Sequence, residues 1–353
     1  MRIGLDARLA SRGLGIARFL TELAEGMSER VDVVWFGSPV TAPSSATDVV
    51  NVSRYPYPLL DGPVGRRLVA RQGLDVMHFA GNTGWGSPGP VPSILTVHDL
   101  IFLKTSVQGR SLRQIVGHRY LRSTVGAAVR AATAVACPSR ASAVEVQQTF
   151  GLSQLPHVIP LGVEPVPPLE REEPSYAVVF AARDPRKGVE LAIEGWRAAQ
   201  RTPGRLRVLA GAGLPDGFAD LAGDDLRSGR IEVLDYLPRG ELWKVLGGAA
   251  VLLHTSEAEG FGIPVLEAMA AGVPVISGLS VASREVGADA ILTIDPADPV
   301  DSVRRHLIAV MEREEVRNRL VEAGRRRSLE FGWQRTADAY TELYAAALDL
   351  PVK

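Results

Sequence analysis

The sequence predicts an α/β protein made of two parallel-sheet domains, and three observations predict it. Short apolar runs alternate with helical patterns, as expected of strands joined by crossover helices. The alternation pauses at a proline-rich stretch, Pro160 to Pro174, and then begins again. At 353 residues the chain is also longer than one hydrophobic core usually serves.

In the first half, strands are expected at Ile3–Asp6, Val31–Phe36, Val49–Val52, Asp75–Phe79, Ser93–Val97, Ala134–Cys137 and His157–Pro160. Helical patterns lie between them at Ile16–Met27, Leu112–Arg130 and Ala141–Phe150. Residues 1–163 therefore read as one Rossmann-like domain and 164–174 as a linker. From 175 the strands Ala177–Ala181, Arg205–Ala210, Ile231–Leu234, Ala250–His254, Val273–Ser277 and Ile291–Ile294 follow, with helices at Gly188–Gln200 and Glu241–Gly247. The tail from Pro299 to Leu350 is helical in pattern. Ligands of such folds bind beyond the carboxyl ends of the strands, so two of these domains imply a cleft.

Composition narrows the function. With 46% apolar residues and a net charge of −1, no bulk field draws the chain to nucleic acid. The N-terminus shows no signal-peptide pattern, and no apolar run approaches the roughly 18 residues of a membrane span, so a cytoplasmic location is expected. Cys137 is the only cysteine, which excludes an intrachain disulfide and a cysteine-based zinc site. A lone cysteine reads as a small buried hydrophobe.

The most informative stretch runs from Thr255 to Ser277. Gly260 and Gly262 permit a tight turn, Pro264 suits a first helical turn, and Gly272 with Pro274 ends the helix. Val265, Leu266, Met269 and Ala270 cover most of that helix, so it should be buried, yet it carries Glu267. Between Glu259 and Arg284, Glu267 is the only ionisable side chain. A buried carboxylate needs a partner. That partner is expected to be a ligand, the alternative being a salt bridge to a core arginine.

Glu259 and Glu267, with seven residues between them and Gly-Phe-Gly directly after the first, resemble the E-x7-E signature of retaining GT-B glycosyltransferases of family GT4. The resemblance continues in Gly4-Leu5-Asp6-Ala7-Arg8, in Gly13-Leu14-Gly15-Ile16-Ala17-Arg18, in Thr96-Val97-His98-Asp99-Leu100 and in Arg183-Asp184-Pro185-Arg186-Lys187-Gly188. It implies an N-terminal acceptor domain, a donor domain over 175–330 and a final helix, 331–353, returning to the N-terminal domain. It also implies that Glu267 holds the donor ribose and Glu259 a sugar hydroxyl, an assignment suited to carboxylates, which accept two hydroxyl hydrogen bonds at once. Gly260, Phe261, Gly262, Ile263 and Leu266 would line the donor, with amides at the positive end of the helix dipole.

Lys187 is one of only four lysines in a chain with 39 basic residues. As a compact point charge after a strand, it suits a diphosphate and the leaving group's developing charge. The family places its arginine five residues before this lysine, whereas Arg183 lies four before, and Arg186 competes with it. His98 is implied near the reacting centre, the other reading being structural; Asp99 reads equally as a cap. Gly13, Gly15 and Arg18 form a loop that closes on the diphosphate or shapes the acceptor side, and Tyr236 with Leu237 corresponds to the base-contacting segment.

From Leu100 to Val144 there is no acidic residue, while Lys104, Arg110, Arg113, Arg119, Arg122, Arg130 and Arg140 are basic. This is either a solvated face or a patch for anionic lipid or a phosphate-bearing acceptor, giving possible peripheral contact with a membrane. The resulting expectation is a metal-independent retaining hexosyltransferase of the mannosyl- and rhamnosyltransferase type, its nucleotide sugar a co-substrate and its acceptor a glycan, lipid-linked or small molecule. The alternatives are a sugar-nucleotide epimerase and a non-catalytic sugar-nucleotide-binding protein.

Overall fold

The computed structural model describes residues 1–11, 14–27, 29–104, 112–166, 176–202 and 204–349. They divide into two compact units, Met1–Gly162 with Gly332–Lys353, and Val163–Phe331. The expected linker thus contributes its first residues, 164–166, to the second unit, and 167–174 lie outside the described residues.

The first unit holds β1 (Arg2–Asp6), α1 (Leu14–Met27), β2 (Asp32–Gly37), β3 (Asp48–Asn51), α2 (Tyr57–Leu60), α3 (Pro63–Ala70), β4 (Val76–Phe79), β5 (Ser93–Thr96), α4 (Ile101–Lys104), α5 (Leu112–Ala131), β6 (Ala134–Cys137), α6 (Arg140–Phe150) and β7 (His157–Val158). The second holds β8 (Tyr176–Ala182), α7 (Val189–Ala198), β9 (Arg205–Ala212), α8 (Phe218–Arg227), β10 (Ile231–Leu234), α9 (Arg239–Gly247), β11 (Val251–Leu253), α10 (Ile263–Ala270), β12 (Val275–Ser277), α11 (Val281–Gly287), β13 (Leu292–Thr293), α12 (Pro299–Glu312) and α13 (Glu314–Ser328). A last helix, α14 (Trp333–Leu348), belongs to the first unit.

The sheets run β3-β2-β1-β4-β5-β6-β7 and β10-β9-β8-β11-β12-β13. Each pairing is parallel, including the two at the order reversals, β1 with β4 and β8 with β11. Both sheets therefore have the doubly wound order, with a crevice where successive connections leave in opposite directions. Inner strands such as VMHF in β4 and VLL in β11 are wholly buried, as strands covered on both faces must be.

Strand positions match the sequence reading to within two residues. The helices α2, α3, α4, α8 and α11 do not appear in that reading. α8, for instance, contains Gly223 and three aspartates, and its apolar residues were too sparse to outweigh that loop-like composition. No helix among the described residues is long and apolar enough to cross a membrane.

Helix α14 is fastened to the first unit through polar groups as well as packing. Gly26 on α1 meets it so closely that a Cβ there would stand 2.7 Å from the Ala337 methyl. Beneath it, His78 bonds through Nδ1 to the Tyr344 hydroxyl at 2.7 Å and through Nε2 to Thr96 Oγ1 at 2.7 Å, and Thr96 Oγ1 bonds to Tyr340 Oη at 2.8 Å. Burial, aided by nearby His98, pushes the His78 pKa down to about 3; burial also pushes His98 down to about 4, against a bond to Ala80 that raises it.

Both histidines are neutral when folded and titrate near 6.5 when unfolded, so the unfolded chain binds more protons between these values. Stability should be full above about pH 6.5 and fall as the pH drops toward 4. Urea midpoints between pH 7 and 4.5 should decline for the wild type and decline less for His78→Gln. Equal slopes would remove His78 from the account.

Candidate functional site

At the carboxyl end of β8 the chain makes a single tight turn, Pro185–Lys187, capped by Asp184, whose carboxylate accepts from the Arg186 amide at 3.1 Å. Gly188 closes the turn with φ +67°, and a Cβ there would stand 2.4 Å from the Thr255 carbonyl oxygen. Only glycine combines that backbone with so close an approach. The turn is thereby laced to the loop after β11: Thr255 Oγ1 donates to the Gly188 carbonyl at 2.7 Å, and the Glu257 amide donates to the Arg186 carbonyl at 2.9 Å.

This lacing brings Lys187 to Glu259, Nζ to Oε1 2.7 Å. His254, directly after β11 and buried, adds Nε2 at 3.2 Å from the same oxygen. Burial alone would raise the Glu259 pKa, but the His254 hydrogen bond and the Lys187 charge outweigh it and hold the carboxyl at about 2. Glu259 is thus ionised although only 12% of its side chain is exposed.

Two residues after Gly260 the backbone turns at Gly262, φ +115°, which caps α10 without a side-chain bond. The amides opening the helix precede its own i to i−4 bonds and so point outward as donors. Pro264 stands in the first turn, and the buried face includes Leu266 and Glu267.

Glu267 departs from expectation. Its carboxylate does not wait for a ligand: Arg239, on α9, reaches it with Nη1 to Oε1 at 2.7 Å. Arg239 also pairs with Glu164 and lies 4.5 Å over the Trp243 ring, and the Trp243 indole N–H donates to Glu164 at 3.0 Å. The reason is the cost of an unpaired buried charge, which a cation from a neighbouring helix removes before any ligand arrives. A ribose at Glu267 would join an existing pair.

The two arginines of the β8 turn differ. Arg186 is engaged by Asp184 through both Nε, at 2.9 Å, and Nη2. Arg183 is exposed, lies along Gly213 and has no ion pair among the described residues. Tyr236, 60% exposed, backs onto Gly211 at the end of β9, with Leu237 half-buried beside it.

In the first unit, His98 follows β5 and is buried against the edge of Phe19, ring centroids 5.1 Å apart. Its Nε2 donates to the Ala80 carbonyl at 3.0 Å, so in the neutral ring Nδ1 is the acceptor nitrogen. Asn82, with φ +61°, accepts from the His98 amide at 2.8 Å and fixes this loop at the β1/β4 reversal. Asp99 accepts from the Ile101 amide at 3.0 Å, a capping role. Gly13 lies outside the described residues; Gly15 is exposed in the first turn of α1; and Arg18 lies over the Trp333 ring at 5.5 Å with Glu22 3.8 Å away. Of the basic stretch, Lys104 is paired with Glu145 at 2.6 Å, Arg122 donates to the Leu103 carbonyl, Arg119 and Arg130 are exposed, and Arg110 lies outside the described residues.

Residues missed from the sequence were thus His254, Arg239 and Asn82. His254 carried a signal, since it ends the strand next to the order reversal; Arg239 and Asn82 carried none.

The sequence profile of glycosyl transferases group 1 matches residues 164–327, and that of glycosyltransferase family 4 matches residues 14–166. The O-antigen chain mannosyltransferase B of Escherichia coli is 30% identical over 174 residues, 47% of this chain and 45% of that protein. The MMP alpha-(1->4)-mannosyltransferase of Mycolicibacterium hassiacum is 31% identical over 231 residues, 60% of this chain and 53% of that protein. The chain thus spans about half the length of the curated relatives it matches. The crystal structure of Anabaena HepE in complex with UDP and glucose superposes with a TM-score of 0.72 at 17% identity, covering 98% of this chain and 100% of that one.

Arg239→Leu should destabilise the protein by about 1–2 kcal/mol, less than a fully buried pair because the arginine keeps a third of its surface in solvent. Adding Glu267→Gln should recover part of that loss in urea unfolding. Strictly additive losses would show that the two are not coupled.

Proposed function

The chain belongs to the GT-B glycosyltransferases of family GT4, group 1, and from that premise we propose that it is a retaining hexosyltransferase using a nucleotide diphosphate sugar without a metal. The observation that carries this reading is the Lys187–Glu259–His254 cluster at the β8/β11 reversal, beside the donor amides that open α10. It offers a cation for the diphosphate and an ionised acceptor for sugar hydroxyls at the end of the sheet where ligands of this fold bind.

In this reading the diphosphate lies against Lys187, Arg183 and the amides of Phe261, Gly262 and Ile263. Arg183 is preferred to Arg186, whose guanidinium is already committed to Asp184. As the anomeric carbon loses its leaving group, charge grows on the diphosphate, where these preorganised groups stabilise it. Glu259 accepts from sugar hydroxyls, Glu267 from the ribose, and Tyr236 with Leu237 meets the base. Glu259 already shares one oxygen between the Lys187 ammonium and a His254 hydrogen bond, which makes it a poor covalent nucleophile and favours same-face attack by the acceptor hydroxyl, guided by the departing phosphate. His98, neutral, contributes an uncharged ring on the acceptor side. The sugar is of the mannose, rhamnose or glucose type, and the acceptor is a glycan, lipid-linked or small-molecule hydroxyl. The exposed Arg119 and Arg130 support peripheral contact with an anionic surface, which equal, negligible sedimentation with anionic and neutral liposomes would remove.

Lys187→Ala should lower kcat/KM at least about tenfold, equivalent to about 1.4 kcal/mol of transition-state stabilisation. Arg183→Ala should lose more than Arg186→Ala. Wild-type kinetics in Lys187→Ala, measured with the donor selected by thermal shift from UDP-, GDP-, dTDP- and ADP-sugars, would sink the assignment.

A further inference from the structure

His254 is held from three elements. Its ring leaves β11 buried, with Nδ1 2.8 Å from Ser277 Oγ at the end of β12 and 3.5 Å from Ser283 Oγ on α11. On the other side Nε2 meets Glu259 Oε1. An ionised carboxylate only accepts, so Nε2 carries the proton, and in the neutral ring the Ser277 hydroxyl donates to Nδ1, with Ser283 a longer contact.

Glu259 needs such a hold. It stands in the loop between β11 and α10, followed by Gly260 and Gly262, with no helix or strand to fix its rotamer. Lys187 alone does not orient it, because an ammonium is a point charge on a flexible stem. It is also the group assigned to the diphosphate, so its bond to Glu259 must be shared when donor binds. A planar ring pinned by the Ser277 hydroxyl presents one N–H in one direction and keeps doing so. Both bonds to Glu259 fall on Oε1, and among the described residues Oε2 has no protein partner.

We propose that His254 is a positioning residue that fixes Glu259 through Oε1, turns Oε2 toward the donor sugar and thereby sets the sugar selectivity of the site. The inference rests on the reading of Glu259 as the sugar-binding carboxylate. Its consequence separates two parts of one ligand: His254 matters to the sugar moiety and not to the nucleoside diphosphate.

The test uses calorimetric titration of the nucleotide sugar that stabilises the wild type most in the thermal panel, and of its parent nucleoside diphosphate. His254→Leu should lose about tenfold in affinity for the nucleotide sugar, the scale of one hydrogen bond to a charged group, while diphosphate affinity stays within about twofold. His254→Gln, whose amide nitrogen reaches where Nε2 stands, should recover most of the loss. An unchanged sugar affinity in His254→Leu, an equal loss for both ligands, or a glutamine variant no better than leucine each overturns the proposal. Glu259→Gln separates it from its premise. If that variant loses no more for the sugar than for the diphosphate, the reading of Glu259 fails; if it does lose more while His254→Leu does not, only the positioning role fails.

Discussion

The organisation of the second unit depends on keeping one carboxylate ionised almost out of water. Glu259 stays charged because Lys187 and His254 stand on the same oxygen, and they stand there because the loops after β8 and β11 are laced together. These two strands are neighbours at the order reversal, so the cluster sits where the sheet itself opens a crevice. Gly188 is the condition for the lacing: any side chain would collide with Thr255. A local backbone requirement, a single ion pair and the topology of the sheet therefore have one geometric solution.

What was legible in the sequence follows from what is local in it. The strands of both sheets, the glycine turn, the apolar α10 and the spacing of Glu259 and Glu267 all express their structure within a few residues, and each was readable. The partner of Glu267 was not, because Arg239 lies 28 residues upstream on a separate helix. A buried carboxylate needed some partner, but pattern alone did not distinguish an arginine of the chain from a ligand. His254 was hidden differently. It looked like the last residue of a strand, and only the packing of β12 and α11 against it shows that its ring is gripped on one side and committed on the other.

The choice between Arg183 and Arg186 shows the same division. Sequence spacing set the two as rivals, and they differ by a bond two residues long. Asp184 caps its own turn and takes the Arg186 guanidinium with it. The aspartate therefore does two things at once, shaping the turn that carries Lys187 and engaging the Arg186 guanidinium.

The two units repeat one strand order but place different electrostatics at their reversals. In the first, His98 is kept neutral by burial, and the charges at the end of β1 are spent on each other: Arg8 lies within 2.7 Å of both Asp6 and Asp61, and Tyr120 donates to Asp61. In the second, Lys187 is paired with the ionised Glu259, while Arg183 has no ion pair among the described residues and the amides that open α10 precede its own helical bonds. A charge already paired at short range offers little net field, so the second arrangement favours an anion through Arg183 and those amides rather than through Lys187 alone. The same fold, used twice, thus carries two electrostatic arrangements: one whose charges are paired among themselves, and one that keeps an arginine without an ion pair among the described residues.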